Sequence, residues 1–465
     1  DAAPEAPAGA AGAASEAVRQ PDPAAGAGGE EDGSEDDDGW CPAAQGGGEE
    51  DEDDDDWCPN AQGGGEEAVE GDGWNPLLQG GASSVGAEED APRAPLQPSA
   101  DPEEAEREAK LLKAAGAATL EELAAATRLE LCDSRLWRLP EVFCLFTQLE
   151  FLDLSHNRLK TLPVGFVRLR ALTELDLSNA RLEELPPDMG RLASLQRLDL
   201  STNGDLPSLP DSFCQLAKLR CLSLAHCRCL DRLPEEFGQL CALEELNLSN
   251  TSVAALPESF PDLPALRELD LSKSKLSELL HDFPRLQSLQ VLDLAYNPLT
   301  SLPDGFGWLP ELRRLKLMSC KLEELPEGFG RLSKLQHLDL SHMDGRALVL
   351  PDSFIRLSSL QHLDLTHSRI LDLPRGFGKL RALERLVLCK CPLETLPPDV
   401  GELVALRELE LTRSGLMSVP PSFVQLPRLR KLDVTGLDLS NAFRSAIEQL
   451  TDRLPLLKVP GLGWL

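Results

Sequence analysis

Four of the seven histidines fall in two nearly identical strings, LQHLDLSHM and LQHLDLTHS. These set His337, Asp339 and His342 one period ahead of His362, Asp364 and His367. Imidazole and carboxylate are ligands that zinc accepts, and imidazole also changes charge near neutral pH. The same strings are an ordinary wording of a longer pattern, and like residues stacked in a ladder make a patch rather than a cage. We therefore expect partner contact from these six side chains, with no resident metal or cofactor. Twelve cysteines supply the other candidate chemistry. Cys227 and Cys229, like Cys389 and Cys391, are separated by one residue, which is not zinc-knuckle spacing. No phosphate loop, H-E-x-x-H or G-x-S-x-G string occurs, and GFGK at Gly376 to Lys379 lacks the rest of a phosphate loop. The chain is not expected to be an enzyme.

The elements that position these residues repeat. Leu289 to Glu311, LQVLDLAYNPLTSLPDGFGWLPE, is the clearest copy. Leu292 and Leu294 bracket one outward residue, the period of a strand, whereas Leu302, Phe306 and Leu309 have the spacing of a tight convex turn. Asn297 is placed to bond backbone groups left unpaired where the strand ends. Copies begin at Leu149, Leu172, Leu195, Leu219, Leu243, Leu266, Leu289, Leu312, Leu335, Leu360, Leu383, Leu406 and Leu429. With a degenerate first copy around Leu129 and Leu131 they make about fourteen repeats. No copy can bury its own apolar face, so the expected fold is an α/β solenoid with a concave strand face.

On that face the repeat around Leu292 offers Val291, Asp293 and Tyr296. The position between the strand leucines is acidic from copy to copy, with a break at Lys316 where Arg313 and Arg314 add charge. Two readings stay open for this column. Either a partner meets a basic centre flanked by carboxylates near Arg314 and Lys316, or the acids are simply solvated. Cys227, Cys320 and Cys391 take the place of the asparagine, where a reduced thiol can point inward.

The front of the chain differs. Residues 1–100 carry −24 of the net −33, are rich in Ala, Gly and Pro, and lack the bulky aliphatics that would offset chain entropy, so they are expected to be disordered. Within them WCPAAQGGGEE, WCPNAQGGGEE and WNPLLQGG begin at Trp40, Trp57 and Trp74, 17 residues apart. An indole beside several carboxylates has the composition of a short ligand for a basic groove, and three copies allow avidity. Cys41-Pro42 and Cys58-Pro59 also suggest haem thiolates, on a two-residue motif alone. Residues 101–128 should form an N-terminal helical cap: Asp101 caps, Pro102 opens a helix, Gly116 ends it, and Thr119 with Glu122 makes a capping box. Residues 129–439 form the repeat domain. Residues 440–465 supply a C-terminal helical cap and tail, with Ser440 or Asn441 as cap and Phe443, Ile447 and Leu450 on one face.

The acidic balance argues against nucleic acid, and no apolar run is long enough to span a membrane. The start lacks the basic segment of a signal peptide, and the cysteines are not arranged as a disulfide framework. A cytoplasmic location is expected, with the nucleus also open.

The wording LxxLxLSxNxLxxLPxxFGxLxxL, seen in Leu149 to Ala171 and Leu335 to Leu357, resembles the intracellular leucine-rich-repeat proteins of the Ras-group class, including the Ras and Raf scaffold family and its plant relatives. The resemblance implies a leucine-rich-repeat horseshoe and a non-enzymatic scaffold in signal transduction. By resemblance alone, it also implies a small GTPase or a protein phosphatase as partner. The alternative is a cargo or complex adaptor whose acidic Trp-containing tail is itself the ligand. A metal- or haem-dependent sensor is a third reading.

Overall fold

Two leucines one residue apart must place the side chain between them on the opposite face, and each repeat accordingly opens with a three-residue strand. The computed structural model describes residues 99–343, 345, 347–437, 441–451, 456–459 and 463–464. The expectations for the tail and for Trp40, Trp57 and Trp74 lie outside the described residues. The repeat strands are β1 (Arg128–Glu130), β2 (Phe151–Asp153), β3 (Glu174–Asp176), β4 (Arg197–Asp199), β5 (Cys221–Ser223), β6 (Glu245–Asn247), β7 (Glu268–Asp270), β8 (Val291–Asp293), β9 (Arg314–Lys316), β10 (His337–Asp339), β11 (His362–Asp364), β12 (Arg385–Val387), β13 (Glu408–Glu410) and β14 (Lys431–Asp433). They pair parallel in chain order, leucine beside leucine, so that Leu292 lies between Leu269 and Leu315.

The opposite side is built from 3-10 turns rather than α-helices. Pro303 enters one turn at φ −62°, and the Phe306 amide donates to its carbonyl at 2.8 Å. Proline presets the backbone there, and a 23-residue period leaves no room for a full helix. The phenylalanines of successive turns stack nearly parallel, with ring centroids 6.5 Å apart from Phe283 to Phe306, 6.2 Å from Phe306 to Phe329 and 6.2 Å from Phe329 to Phe354. Parallel strands are only about 4.8 Å apart. Each layer is thus more than an ångström thicker on the phenylalanine side, and the repeat array curves toward its strands. The glycine after the phenylalanine sets how closely turns approach: a Cβ on Gly330 would lie 1.9 Å from the Ser353 carbonyl oxygen.

The interior carries one polar ladder. Asn297 is 2 % exposed; its Oδ1 accepts from the Leu276 amide at 3.2 Å, and its Nδ2 donates to the carbonyls of Leu271 and Leu294 at 2.8 and 2.9 Å. Asn157 and Asn203 bond in the same way. Where cysteine replaces asparagine, its thiol donates to the same carbonyl of the preceding repeat, from Cys227 to Leu200, Cys320 to Leu294 and Cys391 to Leu365. All ten described cysteines are thiols rather than disulfides. Burial pushes Cys227 up to about 11 and Cys320 up to about 12, so the nucleophilic thiolate is suppressed.

Each strand ends in a turn that the sequence analysis did not anticipate. The residue three past the strand adopts a left-handed conformation in every repeat, from Asp133 at φ 49° through Tyr296 at 59° to Gly436 at 77°. That conformation turns its amide onto the next repeat, as when Tyr296 donates to the Met318 carbonyl at 2.7 Å. The acid between the leucines supports the same turn. Oδ1 of Asp153, Asp176, Asp199, Asp270 and Asp293 each accepts from the amide two residues on, at 2.7–3.0 Å, and Asn247 does the same with its amide oxygen.

Helices and extra strands flank the array. In α1 (Pro102–Ala115) the Asp101 side chain accepts from the Glu103 amide and Gly116 closes the helix at φ 65°. In α2 (Leu120–Ala124) Thr119 accepts from the Glu122 amide, while the Glu122 carboxylate takes the Ala118 amide. Leu111, Leu120 and Leu123 are buried against the first repeats. At the far end α3 (Asn441–Thr451) buries Ile447 and Leu450. Ser440 and the side chains of Asn441 and Phe443 lie outside the described residues. Where a tail was expected, β15 (Leu456–Val459) extends the sheet parallel to β14, and β16 (Gly463–Trp464) folds back antiparallel.

Replacing Leu294 by Asp places an unpaired charge between layers and is expected to cost at least about 4 kcal/mol, visible as loss of cooperative melting. Burial, aided by Asp199 and Asp153, raises the Asp176 carboxyl above its ordinary range. A raised folded-state value means that this group's contribution is complete below the unfolded value of 3.8 and is lost as pH rises through the folded one. Asp176→Asn keeps the acceptor, as Asn247 does natively, and should raise the melting temperature at pH 7, with the gain vanishing below pH 3.8. Residue-resolved alkylation should modify exposed Cys132 and Cys241 in the folded protein, and Cys227 and Cys320 only after unfolding.

Candidate functional site

Because the leucine of each strand is committed to the core, its two neighbours must face the concave side; from β5 to β8 they are half-buried around a buried leucine. The left-handed residue after each strand adds a further column. Tyr296 belongs to that column, is 47 % exposed, and lies under the Lys273 ammonium at 5.4 Å from the ring centroid. Arg314 and Lys316 occupy the two outward positions of β9 and are both exposed. Lys316 Nζ reaches Asp293 Oδ2 on β8 at 3.1 Å, so the basic break is partly matched from one side.

The histidines stack as like with like. His337 and His362 lie in register on β10 and β11, with ring centroids 4.4 Å apart and planes 12° from parallel. His342 and His367 follow in the left-handed column, edge to face at 5.5 Å. Among the described residues, no group of three or more His, Cys, Asp or Glu is arranged to hold a metal ion, so the zinc reading lacks a ligand set. His362 is half-buried, its Nδ1 has no hydrogen-bond partner, and burial lowers its tendency to take a proton against the opposing pull of Glu384 and Glu408. Stacked with a second imidazole, it presents a flat ring surface to the concave side.

The acids between these rings have a different role from either reading of the sequence. Asp339 Oδ1 accepts from the Ser341 amide at 2.9 Å, and Asp364 Oδ1 from the Thr366 amide at 2.8 Å. They are neither simply solvated nor fully available to a ligand, because one oxygen of each holds the strand exit. The sequence hid this: it shows an acid between two leucines, but not that the strand stops there with an amide turned back toward it.

The register also exposes a pattern missed residue by residue. The two outward positions of β2 to β7 hold Asp153, Glu174, Asp176, Asp199, Glu245, Glu268 and Asp270, against one base, Arg197. From β9 to β12 the first position runs Arg314, His337, His362, Arg385. Arg385, not singled out from sequence, closes that row and is itself paired to Glu410 at 3.2 Å. The concave face therefore runs from a strongly acidic stretch on β2 to β7 to a mixed, more basic one on β9 to β12, where Asp339 and Asp364 interrupt the bases, and Glu408 and Glu410 follow on β13.

Elsewhere, a cleft of about 580 Å³ lies along the turns between Leu256 and Pro326, where Leu280 stands in place of the usual proline. No described helix is long and apolar enough to cross a membrane.

Models of the leucine-rich repeat region match residues 172–269 and 305–391, and leucine-rich-repeat models match residues 125–182 and 288–309. Together they cover more than half the chain. Comparison with curated proteins finds no match. Among solved structures, a leucine-rich-repeat protein of Leptospira interrogans is 27 % identical over 73 % of this chain and 97 % of its own, with a TM-score of 0.51. An internalin of Listeria monocytogenes is 19 % identical over 72 % and 94 %, with a TM-score of 0.58. Toll from Drosophila, in its complex with Spätzle, is 21 % identical over 66 % of this chain and 44 % of its own, with a TM-score of 0.52. The last two likenesses concern the fold alone. Fourteen stacked strand-and-turn units and these matches lead to one conclusion: the chain belongs to the leucine-rich-repeat family.

Proposed function

We propose that this protein is a non-enzymatic scaffold that binds other proteins on its concave strand face and acts in signal transduction in the cytoplasm. The observation that carries the reading is the uneven charge of that face, with seven acids against one base on β2–β7 and Arg314, Lys316 and Arg385 against Asp339 and Asp364 on β9–β12, an imbalance that solvated columns alone do not require. Electrostatic segregation of this kind steers encounter and fixes the orientation of a partner. Tyr296, Arg314, Lys316, His337, Asp339, His342, His362, Asp364 and His367 are the proposed contact residues. The thiol ladder supports a reducing compartment, because its cysteines serve as buried hydrogen-bonding groups rather than cross-links. The LxxLPxxFGxL wording supports the Ras-group class, and with it a small GTPase or a phosphatase as the partner class. The second reading makes the acidic tail, through Trp40, Trp57 and Trp74, a ligand for a basic groove on another protein.

Affinity capture from cell extract separates the two. Removing residues 1–100 should leave the captured set largely intact, whereas reversing charge with Arg314→Glu and Lys316→Glu should remove it with little change in melting temperature. Loss of the set on tail removal alone, with capture surviving the double reversal, would turn the assignment to the adaptor.

A further inference from the structure

We propose that the concave surface of β9 to β12 is a docking site for an extended acidic segment of a partner protein, with carboxylates on alternate residues. This deepens the scaffold reading and rests on it. Four planar, nitrogen-bearing side chains follow one another without interruption in the first outward position: Arg314, His337, His362 and Arg385. Two guanidinium groups therefore bracket a pair of stacked imidazoles, with Lys316 beside Arg314 on the same strand. The nearby acids are each engaged: Asp339 and Asp364 commit an oxygen to a backbone amide, Asp293 pairs with Lys316, and Glu410 pairs with Arg385 from β13, a contact that a ligand carboxylate shares or displaces.

The spacing selects the ligand's shape. Arg314 and Arg385 are three strand steps apart, about 14 Å, while an extended chain repeats its side chains on one face about every 6.6 Å. Carboxylates at positions i and i+4 of such a chain, about 13 Å apart, thus reach both guanidinium groups, and residue i+2 crosses the imidazole pair. Guanidinium matches carboxylate in bidentate geometry, and a flat ring stack lets the backbone pass close. A thin chain fits this surface better than a duplex or a bilayer. The inner wall of a curved sheet excludes a flat membrane, and the acidic stretch on β2 to β7 repels a long phosphate chain.

The test uses the full-length protein and a fluorescent 12-residue peptide of alternating Glu and Ser, with a Gln-Ser peptide as control and binding read by anisotropy. The Glu-Ser peptide should bind, weaken with added salt, and lose roughly tenfold affinity on Arg314→Gln and again on Arg385→Gln. Arg197→Gln on β4 should leave it unchanged. His362→Phe keeps a ring against His337 and should weaken binding less than either arginine change; its melting temperature reports whether the stack survives. Equal binding of both peptides overturns the proposal, as does affinity indifferent to Arg314 and Arg385. A single-stranded oligouridylate binding more tightly than the peptide, with loss in the same variants, overturns the assignment to an acidic peptide. If the double reversal of Arg314 and Lys316 abolishes protein capture while the Glu-Ser peptide never binds, the concave-face scaffold stands and the acidic-segment docking site falls.

Discussion

Every layer is held to the next at two different distances. On one side, backbone hydrogen bonding fixes the strands at about 4.8 Å, and on the other, large apolar side chains space the turns, at 6.0–6.5 Å where phenylalanine rings stack, with Met189 and Val400 taking that place in two turns. Neither distance can relax independently, because a single leucine core joins them. Curvature is thus an arithmetic result of two packings, and the inner wall follows from it. Where a glycine follows the phenylalanine it belongs to the same constraint: with the neighbouring carbonyl 1.9–2.2 Å from where a Cβ would lie, any side chain at Gly307, Gly330 or Gly378 would force the turns apart.

Most layers place one polar group at the strand exit, while Ala180, Met343 and Leu437 fill the same position with apolar side chains. Asparagine satisfies the strand exit best, with up to four bonds, yet serine, threonine and cysteine fill the same position elsewhere with fewer. Ser274 and the three cysteines still reach the carbonyl of the previous repeat while giving up the bond to the next, whereas Thr251 bonds the Leu248 carbonyl of its own repeat and Ser414 Oγ finds no partner. Loss of an amide acceptor in one layer is local, as expected for a solenoid whose repeats contact only their neighbours.

The sequence made the core and the helix caps legible, because these depend on spacing and on residues acting within four positions of one another. Leu292, Leu294, Phe306 and Asn297 all do what their spacing suggested, as do Asp101 and Thr119. What escaped notice depends on where a strand stops. Asp339 looked like a surface acid, and its bond to the Ser341 amide becomes visible only once the backbone turns there. Strands β15 and β16 are not legible from spacing, because LLKV and GW carry no repeat wording and β15 pairs onto the edge that β14 presents. The charge segregation was hidden for another reason: it lies between repeats, in residues more than twenty positions apart, and needs the register to be seen.

The left-handed column raises a further point. Glycine is the residue that adopts this conformation most readily, and in this column only Gly436 uses it; Asp, His, Asn, Thr, Lys, Tyr, Ser and Arg take the remaining places at φ 49–62°. Each of those side chains sits on a backbone that would be more comfortable without it. Along this line the demands of folding and of display run in opposite directions. Here the chain can exchange one side chain for another at little structural consequence, and the identity of what it meets can drift while the scaffold beneath stays fixed.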